Sequence, residues 1–333
     1  MTVDEDSAGQ RLDNFLIRHL KGVPKTHVYR IIRSGEVRVN KGRAAADTRV
    51  QPGDMVRLPP VRRSERAAAK AGQGAPAREF PILLEDEYLI AIDKPAGVAV
   101  HGGSGVSFGV IEQLRQARPG ARFLELVHRL DRETSGILLV AKKRSALTHL
   151  QDQFRERETG KTYLALVAGD WPANRKVIDQ PLHKYLLPDG ERRVKVVGKD
   201  DPDGMRSVTL VKVREKIPVR PELADGFARA SAGSVRTAAF TLLEVTIKTG
   251  RTHQIRVHLA SAGHGIAGDD KYGDFELNKS LQKQGLKRMF LHAWRLQFNH
   301  PAGGQRIELQ AALPDELERF VAHVAHSAPT PPV

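Results

Sequence analysis

Positions 127–142 of the chain read V-H-R-L-D-R-E-T-S-G-I-L-L-V-A-K. His128, Arg129, Asp131, Arg132 and Glu133 stand directly ahead of 136–140, a run of small and apolar residues suited to a buried strand. A carboxylate between two guanidinium groups favours its ionised form, which suits a nucleophile or a base and not a general acid. Pattern alone leaves that reading and a plain surface ion pair equally open. Other candidate chemistry drops away. Gly160, Lys161 and Thr162 spell the end of a phosphate-binding loop, but that loop needs a glycine where Arg155 stands. His253 and His258 are five apart, whereas paired histidine zinc ligands on a helix use a spacing of four, so no metal is expected. Ser135 lacks the G-x-S-x-G turn of a hydrolase nucleophile. Without a single cysteine, thiolate nucleophiles, disulfides and cysteine-ligated zinc are excluded together.

The 333 residues suffice for two domains and a sizeable core. A formal charge of +14 and an isoelectric point near 10.0 will draw polyanions, and nucleic acid is the expected partner. Aromatic residues make up only 5%, so phosphate contacts with a few placed aromatics are expected rather than base stacking along a whole strand. No apolar run approaches the ~20 residues that a bilayer demands, and the acidic start M-T-V-D-E-D-S is unlike a signal peptide. A soluble, cytoplasmic protein without membrane contact is expected.

The elements that must position the charged motif follow from periodicity. Leu12, Phe15, Leu16 and Leu20 share one face of a first helix, and Val28, Ile31 and Ile32 one face of a second that ends at Gly35. Arg30 and Arg33 lie opposite that second stripe, and short strands follow with turns at 40–42, including Lys41, and at 52–53. R-L-D-N-F-L with I-R-S-G-E-V-R-V-N-K-G resembles an S4 RNA-binding domain, a helix pair on a small sheet. Residues 61–78 contain no large apolar side chain after Val61 and read as a flexible basic linker.

From Phe80 onward the pattern is mixed. Two strand-like runs, I-L-L-E-D at 82–86 and Y-L-I-A-I-D-K-P-A-G-V-A-V-H-G-G from Tyr88, are joined by Pro95 and Gly97, and V-I-E-Q-L-R-Q-A-R reads as a helix. A helix is expected over 146–158 and a strand over 161–169, with strands over 206–215 and 237–248 alternating like an antiparallel sheet. Residues 217–234 read as a loop. The segment 250–263 reads as a helix capped by glycine at both ends, with Ile255 and Leu259 inward, and 274–287 as polar and disordered. Two strands, a short helix from Pro314 and a frayed tail close the chain. The class is α+β with a largely antiparallel sheet.

H-R-L-D-x-x-T-S-G at 128–136, K-T-Y at 161–163 and R-T-H-Q-I-R-V-H at 251–258 together resemble the RluA-type pseudouridine synthases, over essentially the whole chain. The resemblance implies an S4-like α/β RNA-binding domain at 1–60, a flexible basic linker at 61–79 and a tail at 326–333. Between them, at 80–325, it implies a pseudouridine synthase catalytic domain with a mainly antiparallel mixed sheet flanked by helices and loops. It implies isomerisation of uridines in 23S large-subunit ribosomal RNA by a monomer, without cofactor or metal. Asp131 matches the essential aspartate, which would attack the ribose, attack the base, or remove the ribose 2′ proton. Arg129 matches the arginine that fills the space left by a flipped uridine, a substitution with a purpose because extrusion costs a few kcal/mol. Tyr163 matches the tyrosine that packs on the base and takes the carbon 5 proton, Arg256 the basic partner of the aspartate, and Leu291 an apolar pocket residue. Arg30, Arg33 and Lys41 are the expected S4 contacts, while His128, Thr134 and His292 are expected supports. The family often has G-H-P-I where this chain has G-H-G-I at 263–266. A non-catalytic ribosome-assembly factor, or the same chemistry on transfer RNA, would share much of this pattern. Deleting residues 1–60 is expected to weaken RNA binding and flatten its dependence on salt while the pocket survives, as a salt titration of binding would show.

Overall fold

The computed structural model describes residues 1–20, 23–60, 75–103, 108–188, 190–220, 223 and 239–325. Most of the expected linker, most of the 217–234 segment and the 326–333 tail lie outside these residues.

Near the N-terminus, α1 (Leu12–His19) and α2 (Lys25–Arg33) bury Leu12, Phe15, Leu16, Val28, Ile31 and Ile32, as their spacing predicts. Gly35 takes over after α2 with φ 77°, a left-handed conformation that needs glycine's freedom. A small antiparallel sheet follows, made of β1 (Arg38–Val39), β2 (Gly42–Arg43) and β3 (Val56–Arg57), with β1 central. Asn40 and Lys41 both have positive φ, the geometry of a tight two-residue hairpin, so Lys41 sits at its tip.

The remaining chain begins with β4 (Ile82–Glu85), β5 (Leu89–Lys94), α3 (Val110–Ala117), β6 (Glu125–Leu126), β7 (Ser135–Ala141) and α4 (Arg144–Glu156). It continues through β8 (Gly160–Ala168), β9 (Val177–Asp179), the hairpin β10 (Leu182–Leu186) and β11 (Arg192–Val196), β12 (Val208–Pro218) and β13 (Ala239–Ile247). Last come α5 (Gln254–Ser261), α6 (Phe275–Lys283), β14 (Leu291–Asn299), β15 (Arg306–Gln310) and α7 (Asp315–Val324). Apart from the β10–β11 hairpin, these strands form one mixed sheet in the order β4-β5-β7-β14-β8-β13-β12-β9, with β15 beside β14 and β6 beside β7. Among the described residues β7 and β14 make its one parallel pairing. No helix among them is long and apolar enough to cross a membrane.

All seven residues of β7 are buried because helices cover both of its faces. Ile137, Leu139 and Ala141 pack with Leu147 and Leu150 of α4, while Leu138 and Val140 pack with Val110, Ile111 and Leu114 of α3. The other half of the sheet, β8, β13 and β12, packs Leu166, Phe240 and Leu243 against α5, α6 and α7. The two halves meet at β14, where Ala293 pairs with Tyr163 on one side and with Gly136 on the other. Gly136 has φ 108°, and a Cβ there would come within 2.3 Å of the Ala293 carbonyl oxygen. That close approach is why T-S-G ends in glycine.

Three expectations need correction. The 274–287 segment contains α6, because Leu277 and Leu281, four apart, bury one face and the Asp274 carboxylate accepts from Leu277 N at 3.0 Å as an N-cap. The helix expected from 250 starts only at Gln254. His253 occupies its cap with φ 52°, and Gly263, φ 85°, closes the far end as the sequence predicts. Finally, Ile217 and Pro218 extend β12 rather than opening a loop, since Ile217 is buried and pairs with Phe240. Gly136→Ala is expected to lower stability by at least ~1 kcal/mol through both the strained φ and the contact with Ala293, measurable as a fall in the urea midpoint.

Candidate active site

The charged motif forms the loop that delivers the chain into β7. Val127 N donates to Leu139 O at 3.0 Å, and Thr134 N to Asp131 O at 3.2 Å, which closes a turn around Asp131. Lys94, fully buried at the end of β5, donates from Nζ to Pro95 O and Val98 O at 2.8 Å and to Arg132 O at 3.1 Å. Gly97 N reaches the same Arg132 carbonyl at 2.9 Å, so the K-P-A-G turn and the Asp131 loop are tied through backbone. Burial lowers the Lys94 ammonium to about 7, and neighbouring Arg288 adds to the effect.

A cleft of about 280 Å³ opens beside this loop, lined by Asp131, Arg129, Tyr163, Arg256, Leu291 and Lys161 among others. The five residues singled out in the catalytic domain therefore meet, although they come from the loop before β7, from β8, from α5 and from β14. Arg256, 4% exposed, directs Nη1 to Asp131 Oδ2 at 3.3 Å. Its firmest bonds go elsewhere: Nε to Asp269 Oδ2 and Nη2 to Asp269 Oδ1, both 2.7 Å, a fork-to-fork pair. Burial alone would raise the Asp269 carboxyl, but these bonds and the Lys271 and Tyr272 amides hold it below its ordinary value. The Arg256 guanidinium is raised, since Asp269 and then Asp131 outweigh its burial, and it stays charged.

Asp269 was not singled out in the sequence. Its signal was G-D-D-K-Y-G at 268–273, a polar cluster with two carboxylates placed a few turns past a basic helix. Lys271 N and Tyr272 N bond to Asp269 Oδ1 at 2.9 and 3.1 Å, and Asn278 Nδ2 of α6 donates to Asp269 O at 2.8 Å. The arginine is thus aimed by α6. Tyr272 also approaches His253, its hydroxyl 2.8 Å from His253 Nδ1, and His253 Nε2 lies 3.9 Å from Asp131 Oδ2.

Tyr163 faces the cleft from β8, and burial followed by the nearby Asp131 charge raises its phenol, so it is protonated at neutral pH. Arg129 is exposed at the rim and makes no side-chain hydrogen bond or ion pair among the described residues. The expected supports behave as such. His128 Nε2 accepts from Leu139 N at 3.1 Å, its ring stacks on Phe154, and burial lowers it to about 3. His292, lowered by burial to about 4, meets Ser135 Oγ at 2.9 Å inside the sheet. Thr134 is buried beside them.

A wider groove of about 760 Å³ leads away from the cleft and carries Arg129, Arg132, Arg192, Arg251 and Lys271. On the N-terminal unit Arg30, Arg33 and Lys41 are all exposed. Arg30 Nη2 touches His27 Nδ1 at 3.3 Å, while Lys41 shares a surface depression with Arg38 and Arg57, so the two arginines and the lysine do not share one site. As for metals, His258 is occupied by Thr209 Oγ1 and Gln180 O at 2.8 and 3.0 Å. His183, Asp201 and Asp203 bring ligand atoms within 4.8 Å of one another, and the buried His183 Nδ1 has no hydrogen-bond partner among the described residues, with Asp201 Oδ1 3.8 Å away.

A cleft with a carboxylate, a guanidinium and a phenol from separate elements, opening onto a basic groove, is the arrangement of an enzyme with a polyanionic substrate. The chain belongs to the RluA-type pseudouridine synthases: residues 88–261 match the RNA pseudouridylate synthase family and residues 10–56 the S4 domain. It is 49% identical over 324 residues to ribosomal large subunit pseudouridine synthase C of Pasteurella multocida, covering 96% of this chain and 92% of that protein. The protein of the same name in Escherichia coli strain K12 is also 49% identical, with 96% and 94% covered. Human RNA pseudouridylate synthase domain containing 4 shares the fold at a TM-score of 0.56 and 25% identity, over 73% of this chain and 92% of that one. The protein is a pseudouridine synthase.

Asp269→Asn is expected to leave Arg256 as an underpaired buried cation, with a loss of about 3–5 kcal/mol and slower single-turnover isomerisation. Because the Asp269 carboxyl is depressed in the folded state, its stabilisation is present above the unfolded value and lost as pH falls through the folded one. The stability gap between the two proteins should therefore be constant near neutrality and close below about pH 4, as urea unfolding across pH would measure.

Proposed function

We propose that this protein isomerises uridines of the large-subunit ribosomal RNA, 23S rRNA, with Asp131 as its catalytic carboxylate. The observation that carries the reading is the Asp131–Arg256 contact at 3.3 Å, inside a cleft also lined by Tyr163 and Leu291. The relatives that cover nearly the whole chain carry the name ribosomal large subunit pseudouridine synthase C, which supports this RNA as substrate.

The cleft is far too small for a duplex, so the target uridine must be swung out of its helix to reach Asp131. Arg129, exposed and unpartnered at the rim, is free to take the vacated place. Isomerisation breaks the bond between ribose C1′ and uracil N1 and makes one between C1′ and uracil C5, with C5 losing a proton and N1 gaining one. Uracil itself carries the charge in between, so neither cofactor nor metal is called for. Each of the three possible first steps needs one carboxylate held at the junction of sugar and base, and Arg256 aims Asp131 there. Tyr163, a protonated phenol before turnover, packs against the base; in that state it is a donor and becomes a base only after losing its own proton.

The groove with Arg129, Arg132, Arg192, Arg251 and Lys271 fits the phosphates around the target. Residues 1–60, with Arg30, Arg33 and Lys41, add affinity through the S4 unit, linked by 61–79 to the catalytic domain at 80–325. The protein is expected to act as a monomer, and the ribosomal substrate supports work in the cytoplasm. A binding factor without activity would not need Asp131, Tyr163 and Arg256 brought together in one cleft.

Asp131→Asn is expected to abolish pseudouridine formation while RNA affinity stays within a few fold. Mapping pseudouridines in ribosomal RNA from cells lacking the protein, with and without this variant supplied, tests activity and target together. A set of modified sites in large-subunit ribosomal RNA that is unchanged in the absence of the protein would overturn the assignment.

A further inference from the structure

Lys161 lines the cleft two residues before Tyr163 on β8, and residues two apart on a strand share a face. Its side chain is 91% buried, being 9% exposed. Among the described residues its ammonium makes no hydrogen bond and no ion pair. Among them its one favourable neighbour is the Phe154 ring, whose centroid lies 5.3 Å from Nζ in a cation–π contact, while His128 stacked on that ring is neutral and Arg157 repels it. Asp131 lines the same cleft but is engaged with Arg256. Burial, then Arg157, lowers the Lys161 ammonium from its ordinary value.

A largely buried cation without an acceptor is costly, and within the folded protein the Phe154 ring is all that offsets that cost. Three N–H donors directed into a substrate cleft lack only an acceptor. The acceptors that enter with a flipped uridine are the carbonyl oxygens of uracil. When the C1′–N1 bond breaks, its electron pair passes to uracil and the negative charge spreads onto O2 and O4. Attack on the base at carbon 6 would place charge on the same kind of oxygen.

We propose that Lys161 is the base-binding cation of this site, donating a hydrogen bond to a uracil carbonyl oxygen and stabilising the negative charge that appears there during isomerisation. Lys161 keeps its proton throughout; the proton lost in the reaction is the one on C5. A donor set in advance where charge develops, in a site that excludes water, acts mainly on the rate of the chemical step and little on binding of the RNA. The inference rests on the pseudouridine synthase reading.

The cysteine-free chain makes a direct test possible. Full-length Lys161→Met and Lys161→Cys are compared with the unaltered protein in single-turnover tritium release from large-subunit ribosomal RNA transcribed with 5-tritiated uridine. Both variants should lose roughly 100-fold or more in rate, bind the RNA within a few fold of the unaltered protein, and melt at the same or a higher temperature. Treating Lys161→Cys with 2-bromoethylamine places an ammonium back at that one position and should restore most of the rate. Rates within a few fold of the unaltered protein would overturn the proposal. So would weakened binding with a salt slope reduced by about one unit, which marks a phosphate contact, or a lowered melting temperature with no rescue, which marks a structural support. No tritium release from the unaltered protein would instead remove the reading on which the proposal rests.

Discussion

A guanidinium buried to 4% exposure has to find acceptors for its donors, and the site is organised around the way Arg256 does so. Asp269 takes two of its N–H groups in a fixed fork, which leaves Nη1 directed at Asp131. Orientation therefore runs from α6 through Asn278 and Asp269 to Arg256, and only then to the carboxylate that meets the substrate. Because Asp269 already pairs the guanidinium through two short bonds, the bond to Asp131 can be long, at 3.3 Å, without leaving the cation unpaired. Asp131 is held in place and still open to a second partner in the cleft.

The sheet provides the frame in which such a chain of contacts has meaning. Asp131 leaves a loop tied by Lys94 to the K-P-A-G turn, Tyr163 lies mid-strand in β8, and Leu291 begins β14. Their relative positions follow from backbone pairing, since Ala293 bonds to the strands on both sides. Gly136 permits that junction, and the glycine in T-S-G is as much a condition of the site as the charged residues before it.

Much of this was legible in the sequence for identifiable reasons. The run at 136–140 is apolar throughout because β7 is covered on both faces, and the alternation that marks the next long strand shows at Leu243 to Ile247 of β13, where Glu244 and Thr246 are half-buried between buried neighbours. The charged residues of 128–133 had an assigned chemistry as soon as Arg256 was matched to them, although their contact spans 125 positions of chain. Asp269 escaped notice because its partner is set by tertiary geometry: nothing local distinguishes it from Asp270, which is exposed and only 3.4 Å from Arg256 Nη2. The helix α6 was missed because its polar residues outnumber Leu277 and Leu281, and composition outweighed spacing. Lys161 stood inside a recognised motif, but a lysine in a strand is ordinarily solvated, and only the fold shows it enclosed.

The meeting of the two half-sheets at β14 has a mechanical consequence. The apolar packing differs on the two sides: two clusters hold β5, β7, α3 and α4, a third holds β8, β13 and α5 to α7, and Tyr163 and β14 touch both sides. Asp131 belongs to the first side and Arg256 to the second, so their contact crosses the seam as a bolt crosses a joint. Any flexing of one half against the other changes the width of the cleft directly. A large, bulky RNA gripping both halves would act on that joint with the leverage of its whole length, and the pocket that receives a single base would sit at the fulcrum.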